Sequence, residues 1–84
     1  MNKKILVKLY VPVIDMNYYV KLPLNKKIYD VIELLVQAIY ELTAGDYNPE
    51  KMPVLYDRVT EKKFDVNLNI RESTIRSGME LMLI

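Results

Sequence analysis

The stretch Ile75-Arg76-Ser77-Gly78-Met79-Glu80-Leu81-Met82-Leu83-Ile84 reads as a turn feeding a strand. Gly78 stands just ahead of alternating apolar positions. Glycine supplies at little steric cost the positive-φ corner that a tight entry into a buried strand needs. Leu81 and Leu83 share one face and are expected in the core, which leaves Met82 and Ile84 on the other. Because the run reaches the last residue of the sequence, the C-terminus is expected to belong to the sheet and not to a flexible tail.

Working back from that segment, residues 70–75 are expected to hold a short 3₁₀ or helical turn. Before it, Phe64, Val66, Leu68 and Ile70 alternate with Asp65, Asn67 and Asn69, the period of a half-buried strand. Pro53 precedes a short apolar strand at 54–56, and the charged residues 57–63 read as a solvated turn. At the other end of the chain, Ile5, Val7, Leu9 and Val11 alternate with Leu6, Lys8 and Tyr10 until Pro12 closes the strand. Asp15, Met16 and Asn17 are expected to turn. Tyr18, Val20 and Leu22 then alternate with Tyr19 and Lys21 up to Pro23, so these two runs predict a hairpin.

Between the hairpin and the later strands, Ile28, Val31, Ile32, Leu35, Ile39 and Leu42 recur at helical spacing, with Asp30, Glu33, Gln37 and Glu41 opposite. A helix over 28–42 follows. Asn25 is the expected N-cap, with Lys26 and Lys27 at the unfavourable positive end of the dipole. Gly45, Asp46, Asn48 and Pro49 mark the exit loop. Hairpin, helix, then two or three strands predict an α+β fold in which one helix covers one face of a mixed four- to five-stranded sheet.

Composition narrows the function classes. An 84-residue chain with 51% hydrophobic and 27% charged residues suits one small globular domain spanning 1–84. Twelve basic and eleven acidic residues are interspersed for a formal net charge of +1, too weak a field to collect nucleic acid. The Ile5-Leu6-Val7 run after Lys3 and Lys4 is cut short by Lys8 without a cleavage site, so neither a signal nor a membrane span is expected. Absence of cysteine suits a reducing compartment, and cytoplasm is the expectation.

Histidine is absent too, which removes the commonest general base and metal ligand. Ser73, Ser77, Thr43, Thr60 and Thr74 therefore have no imidazole to activate them, and Asp30 and Glu33 lie on a solvated helix face; no enzyme, cofactor or metal is expected. Asp65, Asn67 and Asn69 imitate the opening of a calcium loop, but Ile70 stands where its glycine belongs and Arg76 where its bidentate acid belongs. What remains after core assignment is apolar: Leu6 and Tyr10 on the outer face of the first strand, Tyr19 on the second, Met82 and Ile84 on the last. With Leu55 pointing outward and the stems of Lys8 and Lys21 between them, these residues would form a protein-binding patch. Tyr29, Val36 and Tyr40 widen the apolar arc of the helix and offer a second flank. The second strand is expected at a sheet edge, where a copy of the chain could pair with it and form a homo-oligomer.

A hairpin, a single amphipathic helix and a final strand returning to the centre resemble the β-grasp fold of ubiquitin-like proteins. Ile5, Val7, Val20 and Leu22 look like its opening core residues. The closing Ile75, Gly78, Leu81 and Leu83, preceded by Phe64 and Ile70, resembles the small bacterial YukD or EsaB group that accompanies type VII secretion loci. The residue 57–63 turn and the lysines before the helix depart from that group. Conjugated ubiquitin-like proteins end in a flexible diglycine tail; here the only glycines are Gly45 and Gly78. The resemblance therefore implies a module that is not conjugated and that binds a protein, with a component of the secretion apparatus as the expected partner.

Overall fold

The structure, a computed structural model, describes residues 3–84; Met1 and Asn2, part of the expected single domain, lie outside them. Strand β1 (Lys4–Val11) leads through a 3₁₀ turn at Pro12–Ile14 into β2 (Met16–Pro23), followed by α1 (Ile28–Leu42), β3 (Leu55–Asp57) and β4 (Glu80–Leu83). These strands form one four-stranded sheet in the order β2-β1-β4-β3. It is mixed: β2 and β3 run antiparallel to their neighbours, whereas β4 enters the middle parallel to β1.

Alternation in β1 places Val7, Leu9 and Val11 in the core, and the β4 register sets Leu81 beside Leu9 on the same face. Helix α1 covers that face with Ile28, Val31, Ile32, Leu35 and Ile39. Burying so many branched aliphatic side chains is the main stabilising term in a domain of this size. Leu42, expected in the same stripe, is instead 70% exposed. Leu42 is the last residue of α1, and Tyr47 from the exit loop, its N–H bonded to Thr43 Oγ1, is buried in the core instead.

Four local expectations are corrected. The hairpin turn comes earlier than residues 15–17: Pro12 starts the 3₁₀ turn, and Asp15 closes it at φ 50°, its N–H donating to Pro12 O at 3.0 Å. Proline presets the first φ, and an aspartate tolerates the left-handed corner better than most residues. Met16 and Asn17 already belong to β2, opposite Val11 and Tyr10.

The N-cap of α1 is Lys27, with no side-chain capping bond. Asn25 faces away, its Oδ1 accepting from Arg71 at 3.4 Å. The helix's first amides are satisfied from a distance: Ile28 N–H donates to Leu68 O (2.9 Å) and Tyr29 N–H to Val66 O (3.1 Å).

That capping also explains why residues 64–70 are not a strand. Asp65 Oδ1 accepts from Asn67 N–H at 3.0 Å, and Leu68 N–H donates to Asp65 O at 3.2 Å, so the segment turns on itself. Asp and Asn side chains offer the backbone an alternative to a ladder. Only isolated bridges remain, Tyr56 to Lys63 and Lys27 to Asn69. The expected strand at 54–56 forms one residue later, as β3.

A candidate protein-binding face on the outer side of the sheet

Pleating turns Leu6, Lys8 and Tyr10 away from α1. Register then assembles their neighbours: Lys21 beside Leu6, Tyr19 beside Lys8 on β2, and Glu80 beside Lys8 and Met82 beside Tyr10 on β4. The expected patch residues Leu6, Lys8, Tyr10, Tyr19, Lys21 and Met82 thus come together on one face. Tyr19 is its most prominent ring, 75% exposed.

Leu55 does not join them. It pairs with Leu83, so the two side chains share a face, and Leu55 is 1% exposed within the core. Tyr56, opposite Met82, takes the outward position on β3. Ile84 is exposed but lies beyond the end of β4, where its N–H and C=O exchange hydrogen bonds with Val54 (3.0 and 2.7 Å). There it lines an apolar cleft of about 360 Å³ with Val13, Met52 and Pro53, separate from the Leu6 end.

The centre of the face is polar. Lys8 Nζ lies 3.8 Å from Glu80 Oε1, a half-exposed pair whose stabilising contribution is small, about 0–1 kcal/mol. Arg58, held at the β3 exit by its N–H to Glu80 O (3.0 Å), reaches across β4 and β1. Its guanidinium stacks 4.4 Å above the Tyr10 ring and donates to Asn17 Oδ1 at 3.3 Å. Tyr10 Oη donates to Asp15 Oδ1 at 2.8 Å. That hydrogen bond is the main reason the phenol titrates above the usual tyrosine value; Arg58 opposes the shift. Tyr47, away from this face, is raised by burial.

Arg58 therefore divides the expected continuous patch. On its Leu6 side lies an open groove of about 600 Å³, lined by Leu6, Lys8, Tyr19, Val59, Thr60 and Glu80. Asp57 shapes the rim, its Oδ1 accepting from Val59 N–H (2.9 Å) and Thr60 N–H (3.2 Å). Sequence reasoning treated residues 57–63 only as a solvated turn and missed Arg58 and Val59. Aspartate followed by threonine signals the turn, but no local pattern reports where the arginine lands.

Ser73, Thr43 and Asn69 have structural occupations. Buried Ser73 donates from Oγ to Ile70 O (2.7 Å) and accepts from Ile75 N–H (3.1 Å). Thr43 Oγ1 donates to Ile39 O (2.8 Å) and accepts from Tyr47 N–H (2.9 Å), joining the end of α1 to the exit loop. Asn69 and Glu72 bond each other's backbone amides (2.8 and 3.1 Å), a reciprocal cap instead of a cation loop. On α1, Val36 packs partly into the core while Tyr29 and Tyr40 stay exposed. Among the described residues, no helix is long and apolar enough to cross a membrane. No known family model matches the chain, and no match was found among curated proteins.

Proposed function

We propose that this chain is a β-grasp, ubiquitin-like module that binds another protein, without conjugation or catalysis of its own, as a cytoplasmic accessory or regulatory component of a bacterial type VII secretion apparatus. The observation that carries the binding role is the groove at the Leu6 end of the outer sheet face. Apolar Leu6, Tyr19 and Val59 surround the Lys8–Glu80 pair there. Apolar anchors with a few fixed polar groups are what a protein interface uses for affinity and orientation.

The fold assignment is supported by the hairpin, the single helix and the return of β4 between β1 and β3. Both glycines sit at positive-φ corners of the fold, Gly45 at 89° and Gly78 at 88°. The secretion role rests on the resemblance of Phe64, Ile70, Ile75, Gly78, Leu81 and Leu83 to the YukD or EsaB group. Fold likeness carries function only by analogy.

The test is a Leu6→Glu/Val59→Glu double substitution, made in a bacterium that carries the gene beside a type VII locus. Both side chains are exposed, so the thermal midpoint stays within a few degrees. Co-purification with a component of the apparatus and export of its substrates should both fall sharply. Normal export by the folded variant would overturn the assignment of this face.

A further inference from the structure

The two edges of the sheet are not alike. The outer side of β3 is covered: Asp57 N–H donates to Lys62 O (2.9 Å) and Phe64 N–H to Leu55 O (3.2 Å). On β2 the edge is open. Leu24 N–H donates to Lys3 O, which fixes which residues of β2 point toward β1. By the two-residue period, Tyr18, Val20 and Leu22 bond β1, whereas Asn17, Tyr19 and Lys21 aim their N–H and C=O groups outward. Among the described residues, no backbone hydrogen bond outside the β1–β2 ladder reaches those three.

Natural edges are blunted by bulges, prolines, inward charges or short length. Here β2 runs eight residues in unbroken register, with Pro23 only at its end and Lys21 its only charge. Beside the edge, Val20, Leu22, Val31, Leu34, Leu35 and Ala38 line an apolar groove of about 270 Å³. Leu34, 53% exposed, continues through Ala38 to exposed Leu42 at intervals of one helical turn. No core position uses this second apolar stripe of α1.

We propose that two copies of this chain pair antiparallel through β2, with Tyr19 opposite the Tyr19 of the second copy. The occupant is a copy because the strand is complementary to itself in this register. Outward-aimed residues meet outward-aimed residues, so Asn17 falls opposite Lys21 and all three exchange hydrogen bonds. On the core side Met16 meets Leu22 and Tyr18 meets Val20, all apolar. No like charges face each other, whereas a register centred on Lys21 would oppose two lysines, which is destabilising. Met16, exposed in one copy, is covered in the pair. The result is a continuous sheet across both copies, with the apolar grooves meeting at the dyad.

The test is sedimentation equilibrium from micromolar to millimolar protein with Tyr19→Pro and, separately, Leu34→Lys. The Tyr19 amide bonds nothing within one copy and the preceding residue is extended, so the proline preserves the fold. Each dimer then loses two ladder donors, and its dissociation constant should rise at least about tenfold. Leu34→Lys, on the exposed stripe, gives the same direction independently should the proline variant not fold. In the unsubstituted protein, amide exchange at Asn17, Tyr19 and Lys21 should slow with concentration while Val20 and Leu22 stay constant. A monomer at every concentration overturns the proposal, as does a dimer that both folded variants leave intact. A monomer whose partner binding is lost on Leu34→Lys, which leaves the Leu6 groove untouched, also overturns it, because the edge then takes a foreign strand. Tyr19 also lines the Leu6 groove, whereas Leu34 does not, so the Leu34→Lys variant separates failure of the pairing from failure of the groove.

Discussion

Replacing Gly78 by alanine isolates one physical quantity, the cost of a positive φ. Gly78 occupies the corner that delivers the chain into β4, with φ 88°. Met79 N–H closes the turn onto Arg76 O at 3.2 Å, and Gly78 N–H donates to Leu6 O at 2.8 Å. A Cβ built there meets no atom within 4 Å, so alanine brings no steric clash and both hydrogen bonds survive. What remains is the left-handed backbone, about 1–2 kcal/mol for a residue with a Cβ. Stiffening of the unfolded chain returns about 0.4–1 kcal/mol, for a net loss of about 1 kcal/mol. In a domain of this size that lowers the thermal midpoint by about 4–8 °C, readable by circular dichroism. Asparagine at 78 should cost less than alanine, and β-branched valine more. Converse behaviour is expected at Ala44, already at φ 52°: there glycine should raise the midpoint. An unchanged midpoint for Gly78→Ala, or equal losses for asparagine, alanine and valine, would refute the backbone argument.

Two further outcomes follow from burial and from titration. Leu81→Ala, at a fully buried position in the parallel β1–β4 pair, should cost about 2–5 kcal/mol in chemical denaturation; that is a large share of the roughly 4–13 kcal/mol expected for a chain of this length. A loss below about 1 kcal/mol would contradict its central place. Tyr10 has its folded pKa raised by the bond to Asp15, so its contribution is present below the unfolded tyrosine pKa and is lost as pH rises through the folded value. Absorbance titration should therefore show one high-titrating phenol disappearing in Tyr10→Phe, and that variant should lose less stability between neutral and alkaline pH than the parent. Identical alkaline profiles would remove Asp15 as the cause.

Much of the fold was legible because its signals are local. Residues 5–11 alternate strictly and 28–42 repeat at helical spacing, and the matching elements are β1 (Lys4–Val11) and α1 (Ile28–Leu42). Gly78 announced its corner through the absence of a side chain. The outward set Leu6, Lys8, Tyr10, Tyr19 and Lys21 also followed from the two-residue period, since a strand with one buried face has one choice of register.

The sequence alone determined which residues within each element share a face and where the chain enters its last strand. Only the tertiary structure decided which face a neighbour covers and which backbone groups are used elsewhere. Leu55 turned inward because pairing with Leu83 put it on the α1 side, and Leu42, at the last position of α1, stayed outside while Tyr47 of the exit loop entered the core. Residues 64–70 carried a strand's alternation, yet the carbonyls of Val66 and Leu68 cap α1, and Asp65 bends the segment to bring them there. Arg58 reached across β4 to Tyr10 on β1 and on to Asn17 on β2, dividing a surface that residue periodicity drew as continuous. Period is a property of neighbouring residues along the chain. Coverage, capping and reach depend on groups many residues away, whose positions exist only after the chain has folded.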